Sequence, residues 1–169
     1  MTTSPATLDD ETLAFAERVF DAARSGATSD LQAFLAQGLP TDLRNHKGDS
    51  LVMLASYHGH LDTVAMLLEH GADADLRNNN GQTPLAGAVF KGNLPMIELL
   101  LAKGADVEGA TADGKTALMM AAMFNQGAAI DLLLTHGANR EAREQGGLSA
   151  LDLAQRMNAP LALERLQAV

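Results

Sequence analysis

The sequence predicts an all-α solenoid, a row of short helix-turn-helix units each leaning on the next, and three observations predict it. Glycines recur every 33 positions, in one comb as Gly48, Gly81, Gly114 and Gly147 and in a second as Gly38, Gly71, Gly104 and Gly137. Apolar columns keep the same step: Leu31, Val64, Ile97, Ile130 and Leu163 form one, and Phe34, Leu67, Leu100, Leu133 and Leu166 another. Alanines complete the grid at Ala22, Ala55, Ala88, Ala121 and Ala154, small enough for closely stacked helices. A period of this length, sustained in so many columns without an insertion, marks a stacked repeat architecture.

Each element follows from local chemistry. The polar residues to about Pro5 are expected to fray, and Thr7 or Asp9 ahead of acidic residues reads as a helix start. The opening helix sets Leu13, Phe15, Val19, Phe20 and Ala23 among Glu17, Arg18, Asp21 and Arg24, so it has one wet side, as the end of a stack requires. In the second unit Ser50 caps a short helix that Gly59 stops, and a second helix follows from about Leu61 to Glu69, with Leu61, Val64, Leu67 and Leu68 on one face. Helices of about ten residues or fewer are marginal alone in water, so each unit holds its shape only against its neighbours. The third unit repeats the pattern with Thr83 as cap and with Pro84 and Pro95 at helix starts, where a missing N–H costs nothing. A third comb, Gly26, Gly59 and Gly92, passes to Asn125 and Asn158; Asn is the side chain that best tolerates left-handed backbone, so the turn is what repeats. In the last unit Gln167 occupies the column of Leu35, Leu68, Leu101 and Leu134, which marks an outer face.

Composition narrows the function. The chain has 169 residues, 47% of them hydrophobic but only 4% aromatic, so the core is aliphatic. There is no cysteine, which removes disulfides, thiolate metal sites and cysteine nucleophiles together. A net charge of -9 argues against nucleic acid or an anionic membrane surface as the main partner. The polar start lacks the features of a secretory signal and no apolar run reaches membrane-spanning length, so a cytoplasmic protein, monomeric by default, is expected.

The stretch GQTPLAGAVFKGNLPMIELLLAKGAD resembles an ankyrin repeat, a family marked by this period and a Thr-Pro-Leu-His motif. The resemblance covers about residues 12 to 169. It implies a first capping repeat over about 12–47, full repeats at 48–80, 81–113 and 114–146, and a closing cap at 147–169. It further implies an ankyrin-repeat solenoid whose links project as β-hairpin or loop fingers, with fingers and first helices lining a concave groove that binds another protein. Two departures stand out. The motif's His column reads Met53, Ala86, Met119 and Asp152, so the polar network that His joins is missing or rebuilt. Gly127 replaces the leucines at 61 and 94, and the loss of roughly 2 kcal/mol or more of burial makes the fourth unit the expected soft spot.

Mapped onto this sequence, the family's groove positions are His46, Lys47, Asp49, Tyr57 and His58; Asn79, Asn80, Gln82, Phe90 and Lys91; and Ala112, Asp113, Lys115, Met123 and Phe124. One column reads Arg24, Tyr57, Phe90, Met123 and Arg156, an apolar centre bracketed by arginines. With helices about 8 to 10 Å apart, its apolar members form a stripe on the order of 20 Å long, a pattern that marks partner sites when exposed. The competing reading folds these side chains down as satellite core. The acidic excess falls elsewhere, at Asp62, Glu69, Glu98, Asp131 and Glu164 in second helices and Asp73, Asp75, Asp106 and Glu108 in the links, where it reads as a solvated face.

Chemistry at a catalytic or metal centre finds little support. His58, His60 and Asp62 lie close in sequence, but Gly59 interrupts them and they read as turn residues. His70 and His136 sit at helix C-termini, where positive charge suits the dipole. There is no nucleophile elbow and no phosphate-cradling glycine loop. The expectation is therefore a protein-binding scaffold with no cofactor and no metal. Two alternatives remain: a dedicated regulatory or protective partner of one enzyme, or a small enzyme or metal protein.

Overall fold

The computed structural model describes residues 9–168. The expected fraying before Pro5 and Thr7 as a helix start lie outside the described residues. Asp9 is a true N-cap, its carboxylate accepting from the Thr12 N–H at 2.7 Å.

Ten helices follow among the described residues: α1 (Asp10–Ser25), α2 (Thr28–Ala36), α3 (Leu51–Tyr57), α4 (Leu61–Glu69), α5 (Pro84–Lys91), α6 (Leu94–Ala102), α7 (Ala117–Met123), α8 (Gly127–Thr135), α9 (Ala150–Arg156) and α10 (Pro160–Gln167). The odd-numbered helices pack on one another in sequence, the even-numbered ones form a second row, and each pair is also in contact. This is the stacked two-layer arrangement that the period predicts. The alanine column is buried throughout, and Leu31, Val64, Ile97 and Ile130 are buried at 0% exposure. Removing one such side chain from water contributes roughly 1.5–3 kcal/mol, and the apolar columns supply it unit after unit.

Local chemistry starts the odd-numbered helices from α3 onward. Ser50, Thr83, Thr116 and Ser149 are buried, and each hydroxyl accepts from the backbone N–H three residues on, at 3.1 to 3.3 Å. The turn inside each pair is left-handed: Gly26 has φ 73°, and Asn125 and Asn158 keep the same conformation at φ 57° and 50°. Asn125 adds something that the turn alone does not require. Its side-chain oxygen accepts from the N–H groups of Leu161 and Ala162, at 2.8 and 3.1 Å, and so caps α10 of the next unit.

The links take the loop form of finger, closed as tight turns; an isolated bridge between Arg44 and Ser50 is the only β pairing among the described residues. Three expectations need correction. Leu13 is 48% exposed and contributes little to the core side of α1. Leu61 and Leu94 are each 37% exposed, so the leucine missing at Gly127 would be only partly buried, and its loss removes less burial than roughly 2 kcal/mol. Gly127 is itself buried, and a Cβ there meets Leu161 Cβ at 3.5 Å, an ordinary contact. Finally, the acids of the links are more than a solvated face. Asp42 accepts from the Asp73 N–H, Asp75 from that of Asp106, and Glu108 from that of Asn139, at 2.7 to 3.0 Å, which stitches each link to the next.

The motif's missing histidine is replaced in two ways. Met53, Ala86 and Met119 are buried, leaving no polar group to satisfy. Asp152 rebuilds the network as a capping box, accepting from the Ser149 N–H at 2.9 Å while Ser149 caps Asp152.

Candidate functional site

The concave side is built from the fingers together with the odd-numbered helices that follow them. Each finger closes on itself by the same device. A backbone N–H at position 45, 78, 111 or 144 donates across the turn, to the carbonyl of Asp49, Gln82, Lys115 or Leu148. The side chains of Asn45, Asn78 and Glu144 each accept two N–H groups of their own turn, and Thr111 accepts one. Neighbouring fingers are then tied together. The Asn79 N–H donates to the Lys47 carbonyl at 2.9 Å and its amide to the His46 carbonyl at 3.0 Å, while Gln145 binds the Asp113 and Ala112 carbonyls in the same way. Arg44 and Arg77 donate to the carbonyls of Arg77 and Ala110.

Two adjoining hollows lie along this surface. The larger, about 760 Å³, is lined by His46, Lys47, Asp49, Tyr57, Asn79 and Phe90 among the expected groove residues, over a floor of Met53, Leu54, Ala86 and Gly87. The smaller, about 360 Å³, is lined by Ala112, Asp113, Lys115, Met123 and Phe124, and the two share Asn80 and Gln82. His58 and Lys91 are exposed and line neither hollow.

The aromatic side chains stand in water: Tyr57 is 42% exposed, Phe90 57% and Phe124 43%. For these three the satellite-core reading fails; Met123, half-buried against the core, fits it better. The stripe is not one unbroken row. Phe90 and Phe124 meet edge-to-face with centroids 5.7 Å apart. Tyr57 instead pairs with His58 at 5.7 Å and carries the Lys91 ammonium 4.5 Å above its ring. Between Tyr57 and Phe90 the surface falls into the larger hollow.

The residue that opens it is Gly87, which the sequence reading passed over. It occupies the column of Leu54, Met120 and Leu153, where its neighbours carry long apolar side chains. A Cβ at Gly87 meets nothing closer than Tyr57 Cδ2, at 3.8 Å. The signal was present in the sequence as a glycine outside every comb.

Charge in the groove is partly committed. Asp113 is paired with Lys115 and accepts from the Thr111 hydroxyl, and the lysine chiefly holds its carboxyl down at about 2. Asp49 accepts from the amides of Asn78, at 2.9 Å, and Asn45, at 3.3 Å. Lys47 and Lys91 take part in none of the ion pairs among the described residues. His60 proves structural: its ring bonds the Arg24 carbonyl at 2.7 Å and lies against Gly26. The His70 and His136 rings bond the Met66 and Leu132 carbonyls, closing their own helix ends.

Stacked helix pairs, left-handed turns, finger links and an open concave face define a repeat solenoid with a groove along one side. A pattern of ankyrin repeats in three copies matches residues 19–111, and a single ankyrin repeat matches 113–145. The chain belongs to the ankyrin repeat family. It is also 64% identical over 67 residues to a protein of Pseudomonas aeruginosa that carries the name of an ankyrin repeat protein. That aligned stretch takes in 39% of this chain and 39% of the relative's own length. Ankyrin repeats generally mediate contacts between proteins and are typically not catalytic. No helix among the described residues is long and apolar enough to cross a membrane.

Proposed function

We propose that this protein is a binding scaffold that holds a partner protein in its concave groove, with Tyr57, Phe90 and Phe124 as the apolar contacts. Lys47, Asn80, Gln82, Lys91 and Lys115 set the register around them. The observation that carries this reading is the exposure of three of the chain's six aromatic side chains on one face of an otherwise aliphatic molecule. Leaving such rings in water forgoes burial energy, and interface hot spots are built from aromatic residues with polar groups around them. The fingers are cross-tied by hydrogen bonds, so the surface is preorganised and little ordering entropy opposes docking. The same reading divides the chain into two capping units around three full repeats.

The test is affinity capture with the native chain and with a Tyr57→Ala/Phe90→Ala variant, followed by binding measurements on the partner recovered. Because both side chains project from helix ends, circular dichroism and melting should stay nearly unchanged while affinity falls by at least about 2 kcal/mol. Undiminished affinity in the folded variant contradicts the assignment.

A further inference from the structure

We propose that the hollow opened by Gly87 receives a single large aliphatic or aromatic side chain from an acidic segment of the partner. The inference rests on the groove being the docking face, and it names the chemistry of what docks. Shape comes first. Leu54 and Met120 mark how far side chains reach in neighbouring units, and at Gly87 that space is empty. Its floor is apolar and closed, with Met53, Leu54 and Ala86 at 3 to 8% exposure, and Tyr57 and Phe90 stand at its sides. A hollow that is apolar beneath and open above accommodates one anchor side chain and leaves the rest of the partner's segment at the rim.

Charge decides what flanks that anchor. The rim holds Lys47, and Lys91 lies over the Tyr57 ring, both outside the ion pairs. Against them stands Asp49, whose carboxylate is already engaged by two amides. The molecule as a whole carries -9, with its exposed acids on α1, the even-numbered helices and the links. An acidic segment is therefore repelled by most of the surface and attracted at this rim, which selects the site as well as the partner. A basic segment would be drawn to the outer acidic faces and held nowhere in particular.

The test uses the whole isotope-labelled protein and short synthetic peptides with a central Phe or Leu flanked by Asp and Glu, beside sister peptides with Lys flanks or a central Ala. The acidic peptides with a bulky centre should shift the amide resonances of residues 54, 57, 87 and 90, and added salt should weaken them. Gly87→Met fills the hollow and should reduce affinity by about tenfold or more without lowering the melting temperature, because Gly is a poor helix residue and the added Cβ meets no clash. Lys91→Glu should reduce it similarly for acidic peptides only. Equal binding by the Lys-flanked peptides, undiminished binding by Gly87→Met, or no shift with any peptide overturns the proposal. The groove assignment is judged separately, by the captured partner and the Tyr57→Ala/Phe90→Ala variant, so the two failures are distinguishable.

Discussion

Single side chains hold the units in register, and several can be tested alone. Gly26 has a positive φ, and a Cβ there would lie 2.5 Å from His60 Nδ1, so Gly26→Ala must both strain the backbone and displace the ring that bonds Arg24. Chemical denaturation should show a loss of about 1 kcal/mol or more. Ser149→Ala removes a buried N-cap and should cost about 1 kcal/mol by the same measurement. The hydrogen bonds from Ser149 also hold the Asp152 carboxyl below its ordinary 3.8. A depressed folded pKa contributes stability that is complete above the unfolded value and disappears as pH falls through the folded one. Melting followed from neutral pH down through the carboxylate range should therefore fall less steeply for Asp152→Asn than for the native chain. Asp75 has the opposite sign: burial is the main cause raising its pKa, so its charged form costs stability at neutral pH. Asp75→Asn, which keeps an oxygen to accept from Asp106, should be more stable at neutral pH, with an advantage that shrinks as acid protonates the native carboxylate.

At the scale of helices and fingers, burial dominates. Leu100 in α6 is fully buried, and Leu100→Ala should cost about 2 to 5 kcal/mol. Gly127 at the start of α8 is a different case from the one its column suggests. The missing leucine would have been partly in water, so amide exchange in α8 should outpace that in α4 only modestly, and Gly127→Ala should add a few tenths to about 1 kcal/mol. Period, helix starts and turn handedness were legible because each is fixed by residues close in sequence: a Ser or Thr cap, a Pro, a Gly or Asn in left-handed backbone. The ties between units were not. Asp42, Asp75 and Glu108 look like ordinary surface acids until the next link brings its N–H groups to them, and Asn79 looks like a contact residue until its amide is found on the His46 carbonyl. Exposure of Tyr57, Phe90 and Phe124 was likewise undecidable from periodicity, since a helix-end side chain can turn either way. Gly87 was legible but hidden among glycines that serve turns.

For the whole molecule, shape and charge act together. A row of units with contacts only to neighbours leaves one side of the odd-numbered helices and their fingers uncovered along its length, and the net charge of -9 keeps unrelated anionic surfaces away. Every even-numbered helix exposes at least one acid, Asp30, Asp62, Glu69, Glu98, Asp131 and Glu164, while both hollows lie among the fingers and the odd-numbered helices. Docking should thus use one face. Hydrogen exchange of the chain with and without its captured partner measures this most directly. Slowed exchange across residues 46–58, 79–91 and 112–124, with α4, α6 and α8 unaffected, is the predicted result; protection confined to α4, α6 and α8 would contradict it.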